Sequence, residues 1–248
     1  MSRKKLITIG CSFTRDILSF SHVSRGVFEN SSRGVFKPGY DFPVWPTLLA
    51  EKLDMDCLNL GRGGMGNEYI SAKLVDTVLS EKKEDIGLVV LMWSGWPRVD
   101  FQDIKGEWIG RANWILQNPD KYFDFFGVDN YEYHMTMKAL RHFLIAQRLL
   151  EDIPYLMIQG VWAAVDWSHP QMAKTFINSK IFYEIDEDKF IGWPIMRDIG
   201  GYNLNNMLNK LDPERTHLRI SSEDQHPNAE GHKIISQEIY NAYAKVYM

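Results

Sequence analysis

Two short segments near opposite ends of the chain carry the residue types best suited to chemistry. Gly10-Cys11-Ser12-Phe13-Thr14 follows an apolar run, and Glu223-Asp224-Gln225-His226-Pro227-Asn228 precedes an amphipathic stretch. A serine hydroxyl is a weak nucleophile until a base takes its proton. An acid beside that base fixes the imidazole tautomer and stabilises the imidazolium that forms. Ser12 with His226 and either Glu223 or Asp224 is therefore a set that attacks a carbonyl carbon. In a helical turn the acid three residues before the histidine shares its side; in an extended path the acid two before does. Ser221-Ser222 upstream and His226-Pro227 favour an extended or turn path, and with it Asp224 over Glu223.

Each residue has a competing reading. Ser12 is also in the right place to cap a helix. Cys11 is a second nucleophile, although neighbours on a strand point in opposite directions and only one of the two faces a cleft. Gly61, Gly63 and Gly66 spell G-x-G-x-x-G between a predicted strand and a predicted helix, the pattern of a dinucleotide loop. That pattern normally follows the first strand, and here the first strand ends in Gly-Cys-Ser instead. His22, His134, His142, His169, His217 and His232 have no metal-ligand spacing, so no metal and no cofactor are expected.

The elements that must position these residues alternate. Apolar runs at Leu6–Gly10, Cys57–Leu60, Leu88–Met92 and Ile153–Gln159 read as buried strands. Periodic stretches over Pro43–Leu53, from Asn67 with Ile70, Leu74 and Val78 in register, over Tyr131–Glu151 and over Ala229–Val246 read as helices, the last capped by Asn228. This alternation predicts a parallel sheet covered on both faces, within one domain spanning 1–248. Three stretches fall outside it, at about 15–42, 97–130 and 160–200. The first repeats Ser24-Arg25-Gly26-Val27-Phe28 as Ser32-Arg33-Gly34-Val35-Phe36, which suits a hairpin or a chance duplication. All three follow predicted strands, where ligand sites of open α/β sheets are built. Trp96, Trp108, Trp114, Trp162, Trp167 and Trp193 lie in or beside them, either packing the insertions onto the body or offering flat platforms to a sugar ring or acyl chain.

Composition narrows the partners. With 28 basic and 32 acidic residues the net charge is −4, so no chain-wide basic field draws the protein to nucleic acid or an anionic membrane. Cys11 and Cys57 each adjoin a predicted buried strand and read as small apolar residues rather than a disulfide. The apolar stretch Leu6–Ile9 is too short for a signal-peptide core or a membrane span, so the protein is expected in the cytoplasm.

Gly-x-Ser-x-Thr first, Asn-x-x-x-x-Gly at Asn59–Gly64 second, and acid-x-His-Pro near the end together resemble the SGNH, or GDSL-like, hydrolase superfamily, over nearly the whole chain. The resemblance implies a flavodoxin-like three-layer α/β/α sandwich with a central parallel sheet. It also implies Ser12 as nucleophile, His226 as base, the backbone N–H groups of Ser12 and Gly64 as oxyanion donors, and a small-molecule or glycan ester as substrate. Two departures stand out. Gly-Cys-Ser replaces the usual Gly-Asp-Ser, and Met92-Trp93-Ser94-Gly95-Trp96-Pro97-Arg98 lacks the asparagine of the third block. Ser94 or a neighbouring backbone N–H is the expected replacement donor, Arg98 is a candidate holder of a substrate anion, and Trp96 is a candidate substrate contact. Losing one oxyanion donor costs roughly 3–4 kcal/mol in the transition state. The expectation is thus a serine esterase or deacylase. The alternatives are an acyltransferase on the same residues, or a binding protein for a glycan or protein that has kept the fold and lost the catalysis.

Overall fold

The computed structural model describes residues 3–15, 42–111, 131–160 and 170–248. The repeated Ser-Arg-Gly-Val-Phe segments lie outside these residues, as do Trp114, Trp162 and Trp167. Four longer strands, β1 (Lys5–Gly10), β2 (Asp56–Asn59), β3 (Ile86–Trp93) and β6 (Tyr155–Gln159), join the two-residue β7 (Phe190–Ile191) in one sheet of order β2-β1-β3-β6-β7. Every pairing in it is parallel. β4 (Val99–Gln102) and β5 (Trp108–Arg111) form a separate antiparallel hairpin.

Period-2 alternation divides the core between the faces of the sheet. Ile7, Ile9, Val89, Leu91 and Met157 point to one side. There they meet Ile70 and Leu74 of α2 (Asn67–Ser80), Leu140 and Phe143 of α3 (Tyr131–Leu149), and Phe176 of α4 (Pro170–Asn178). Leu6, Leu88, Val90, Met92 and Ile158 point to the other. They meet Trp45 and Leu49 of α1 (Trp45–Leu53), Leu204 and Leu208 of α5 (Leu204–Leu211), and Ile235 and Ile239 of α6 (Ala229–Tyr247). The result is the three-layer α/β/α arrangement that the alternation predicts. Asn228 caps α6 as expected, its side chain accepting from the N–H groups of Glu230 and Gly231, each at 3.0 Å.

Three expectations change. Cys57 is exposed, because β2 is an edge strand covered incompletely. The described parts of the 97–130 and 160–200 stretches are not irregular throughout, since they form the β4–β5 hairpin, α4, several single 3-10 turns and β7. α5 has no predicted counterpart. Among the described residues, no helix is long and apolar enough to cross a membrane.

Candidate active site

Ser12 belongs to the turn that ends β1. The N–H groups of Thr14 and Arg15 return to the carbonyl of Cys11 at 3.0 and 3.2 Å. Gly10 is needed just before this turn: a Cβ there would overlap Thr14 Oγ1 and press on Met92 of the neighbouring strand. Cys11 is fully buried in the core on the α1, α5 and α6 side, which removes it as a nucleophile. Ser12 faces the other way and keeps partial exposure. Its Oγ lies 2.8 Å from His226 Nε2.

His226 is carried by the loop between α5 and α6. Ile220 N–H donates to the His226 carbonyl at 2.9 Å, and Ser221 N–H to that of Asp224 at 3.1 Å, so the segment is a closed turn. Asp224 Oδ1 accepts from His226 N–H at 3.1 Å and lies 2.6 Å from His226 Nδ1. The acid two before the histidine is therefore its partner. Glu223, three before, is exposed on the outside of the turn, which corrects its candidacy. The hydrogen bond from His226 holds the Asp224 carboxyl below the usual carboxylate range against the opposing effect of burial, and the charges of His226 and Arg15 help. Phe13 packs edge-on against the imidazole, with ring centroids 5.3 Å apart.

This loop is anchored from beneath by Arg219, a residue the motif analysis missed. It is 1% exposed. Its guanidinium donates to Asn205 Oδ1 at 2.8 Å and Asn209 Oδ1 at 2.7 Å, both on α5, and to the Gln225 carbonyl at 3.2 Å. A buried arginine beside the Asp224–His226 turn is a signal that composition alone does not supply, since arginine is usually solvated.

The glycine segment after β2 lies against the Ser12 turn. Arg62 N–H donates to the Gly10 carbonyl at 3.0 Å, and Asn59 ties the two loops together, donating to the Thr14 carbonyl at 2.8 Å while accepting from Gly61 N–H at 2.9 Å. Gly64 has φ +78°, in the left-handed region, and the space beside its Cα is open. The other glycines are used for internal packing. A Cβ at Gly61 would strike the Thr14–Arg15 backbone, one at Gly63 the Arg15 guanidinium, and one at Gly66 the Asp100 carboxylate. The G-x-G-x-x-G pattern is thus explained by close approaches within the protein. The β4–β5 hairpin walls this loop: Gly110 packs on the Gly64 carbonyl, and Arg62 donates to the Trp108 carbonyl at 3.1 Å.

The third-block residues take other roles than expected. Ser94 is fully buried, its N–H donates to Asn67 Oδ1 at 2.8 Å, and its Oγ accepts from Arg98 at 2.9 Å. Both of its donors are turned inward or occupied, so Ser94 does not replace the missing asparagine. Arg98 also donates to the Met65 carbonyl at 3.1 Å and so braces the loop. Trp96 is 1% exposed, stacks on Phe176 and offers no face to a substrate, because the chain turns into the core directly after β3. Asn67 is the residue that sequence reasoning overlooked here. It is 3% exposed, and no acceptor among the described residues takes its amide Nδ2.

No family model and no curated protein matches the chain. Solved structures do. A member of the lipolytic protein G-D-S-L family from Veillonella parvula aligns with 98% of this chain and 98% of its own, at 14% identity and a TM-score of 0.50. The fold is that of the GDSL lipolytic proteins. An alpha/beta hydrolase enzyme from the metagenome of Lake Arreo is also similar (14% identity, 100% of this chain and 98% of that one, TM-score 0.47), as is an acetyl xylan esterase from Butyrivibrio proteoclasticus (11% identity, 99% and 64%, TM-score 0.44). Within this GDSL-type fold, Ser12, the glycine loop and His226 all stand at the carboxyl edge of the sheet or on loops reaching it, where open α/β sheets bind ligands.

Proposed function

We propose that the protein is a serine-dependent ester hydrolase acting through an acyl-enzyme, with a deacylated carbohydrate or another small alcohol as product. One observation supports this above the rest: the continuous hydrogen-bonded chain Ser12 Oγ, His226 Nε2, His226 Nδ1, Asp224 Oδ1, at 2.8 and 2.6 Å.

With Asp224 accepting the Nδ1 proton, the imidazole holds its free electron pair at Nε2, facing the Ser12 hydroxyl. Ser12 Oγ attacks the ester carbonyl as its proton passes to Nε2, and the carboxylate stabilises the imidazolium. The same proton is then given to the departing alkoxide, leaving an ester between Ser12 and the acyl group. A water, deprotonated by His226, attacks that carbonyl, and collapse returns the serine and releases the acid.

The developing oxyanion is met by the backbone N–H groups of Ser12 and Gly64. The Asn67 amide takes the place of the missing third-block donor, fixed in orientation because its oxygen is held by Ser94 N–H. Labelling with a fluorophosphonate tests the reading: Ser12 is expected to react in the wild type, and replacement of Ser12 or His226 by alanine to abolish it.

A further inference from the structure

Beside the glycine loop, α2 and the β4–β5 hairpin meet through two carboxyl groups that the ester chemistry does not use. Asp100 on β4 is 4% exposed. Its Oδ2 accepts from Tyr69 N–H at 2.7 Å, so it satisfies a backbone donor in the first turn of α2. Glu68, in the first turn of α2, bonds Lys138 Nζ of α3 through Oε1.

The two remaining oxygens, Glu68 Oε2 and Asp100 Oδ1, are buried, and no other donor among the described residues reaches either one. The two side chains are neighbours, since Asp100 is bound to the N–H of Tyr69, the residue directly after Glu68, and each carboxyl shifts the titration of the other. Two ionised carboxylates are acceptors only and repel; a single proton between them satisfies both oxygens at once. The pair then carries one negative charge, which faces Lys138.

We propose that Glu68 and Asp100 share one proton, and that this acid pair is a latch holding the 61–66 loop in place between α2 and the hairpin. Asp100 Oδ1 lies directly on Gly66, two residues from Gly64, so the latch acts on the loop that carries an oxyanion donor. That catalytic consequence rests on the function proposed above. The other charged or titratable groups around the pair are His134 and His142 on α3 and Arg98 on the hairpin approach, whose guanidinium is turned to Met65 and Ser94.

The sign of the pH effect follows. Burial first, then the hydrogen bond and charge of Glu68, push the Asp100 carboxyl up to about 7, whereas Glu68 is held low because Lys138 and its hydrogen bonds outweigh its own burial. A carboxyl raised in the folded state adds stability in acid that is lost as pH rises through its folded value.

Asp100→Asn is the sharpest test, because its amide donates permanently to Glu68 while its oxygen still accepts from Tyr69 N–H. Glu68→Gln does the same from the other side and serves if the first variant fails to fold. Melting temperature and the rate of Ser12 labelling by a fluorophosphonate are followed from about pH 6 to about pH 8.5. Wild type is expected to lose several degrees more than the variant, and to lose labelling rate about threefold or more relative to it. Parallel melting curves overturn the shared proton. Diverging melting curves with parallel labelling rates overturn the latch on the loop. A wild type that takes no label at any pH overturns the esterase reading instead, and the melting comparison still judges the pair.

Discussion

Replacing Asp224 by asparagine separates two effects of its carboxylate on His226. The same oxygen accepts from both His226 N–H and Nδ1, so an asparagine oxygen held by the backbone N–H still receives the Nδ1 proton and keeps the tautomer. What disappears is the negative charge facing the imidazolium. Two unit charges about 4 Å apart are worth about 4 kcal/mol at an effective dielectric of 20 and about 1 kcal/mol in water. Side-chain exposures of 40% and 43% place the pair between those limits. A loss of about 2 kcal/mol in the transition state is about 30-fold in kcat. Alanine removes the hydrogen bonds as well, including a charge-assisted one, and brings the loss to about 4–5 kcal/mol, on the order of 10³-fold. Glu223→Ala, on the exposed side of the turn, is expected to stay within about twofold of wild type. Steady-state turnover of a chromogenic short-chain ester, with Ser12 labelling rates beside it, measures all three. A Glu223 variant as impaired as Asp224→Ala, or an Asp224→Asn enzyme at the wild-type rate, refutes the reasoning.

Asn67 has a similarly divisible role. Asn67→Asp retains the oxygen that holds Ser94 N–H but loses the amide donor, and Asn67→Ala loses both without adding charge. Both are expected to lower kcat by about 10²–10³-fold with little change in KM; near-normal kcat in either variant removes Asn67 from the oxyanion site. Arg219→Met leaves two asparagine oxygens of α5 and the Gln225 carbonyl short of a donor. About 3 kcal/mol of destabilisation follows, a fall in melting temperature of about 6–12 °C, together with slower Ser12 labelling as the Asp224–His226 turn loosens. A melting temperature within about 2 °C of wild type contradicts that assignment.

The parts legible in the sequence were those set by local rules. Strand-length apolar runs, helical periodicity and the Asn228 cap need only neighbouring residues, and they delivered the parallel sheet and the layers on its two faces. The pairing of Ser12 with His226, 2.8 Å apart, could be anticipated because each sits in a short motif beside such an element. The choice between Asp224 and Glu223 depended on the path of one turn, which the Ser221 and Asp224 hydrogen bonds decide. Ser94 and Trp96 were misjudged for a different reason: whether a donor or a ring faces a cleft depends on what else takes it, and Asn67, Arg98, Phe176 and Gln159 come from distant segments. Cys57 looked buried because its strand is apolar, and only the strand order places it at an edge. The Glu68–Asp100 pair joins a helix to a hairpin that the sequence pattern did not reveal.

The activated serine is the centre of this account, and reaction of the purified protein with a fluorophosphonate, followed by mass-spectrometric location of the adduct, tests it most directly. The expected result is a single adduct on Ser12 that forms in the wild type and is lost in His226→Ala. Folded wild-type protein that remains unlabelled, or that labels equally well without His226, contradicts it.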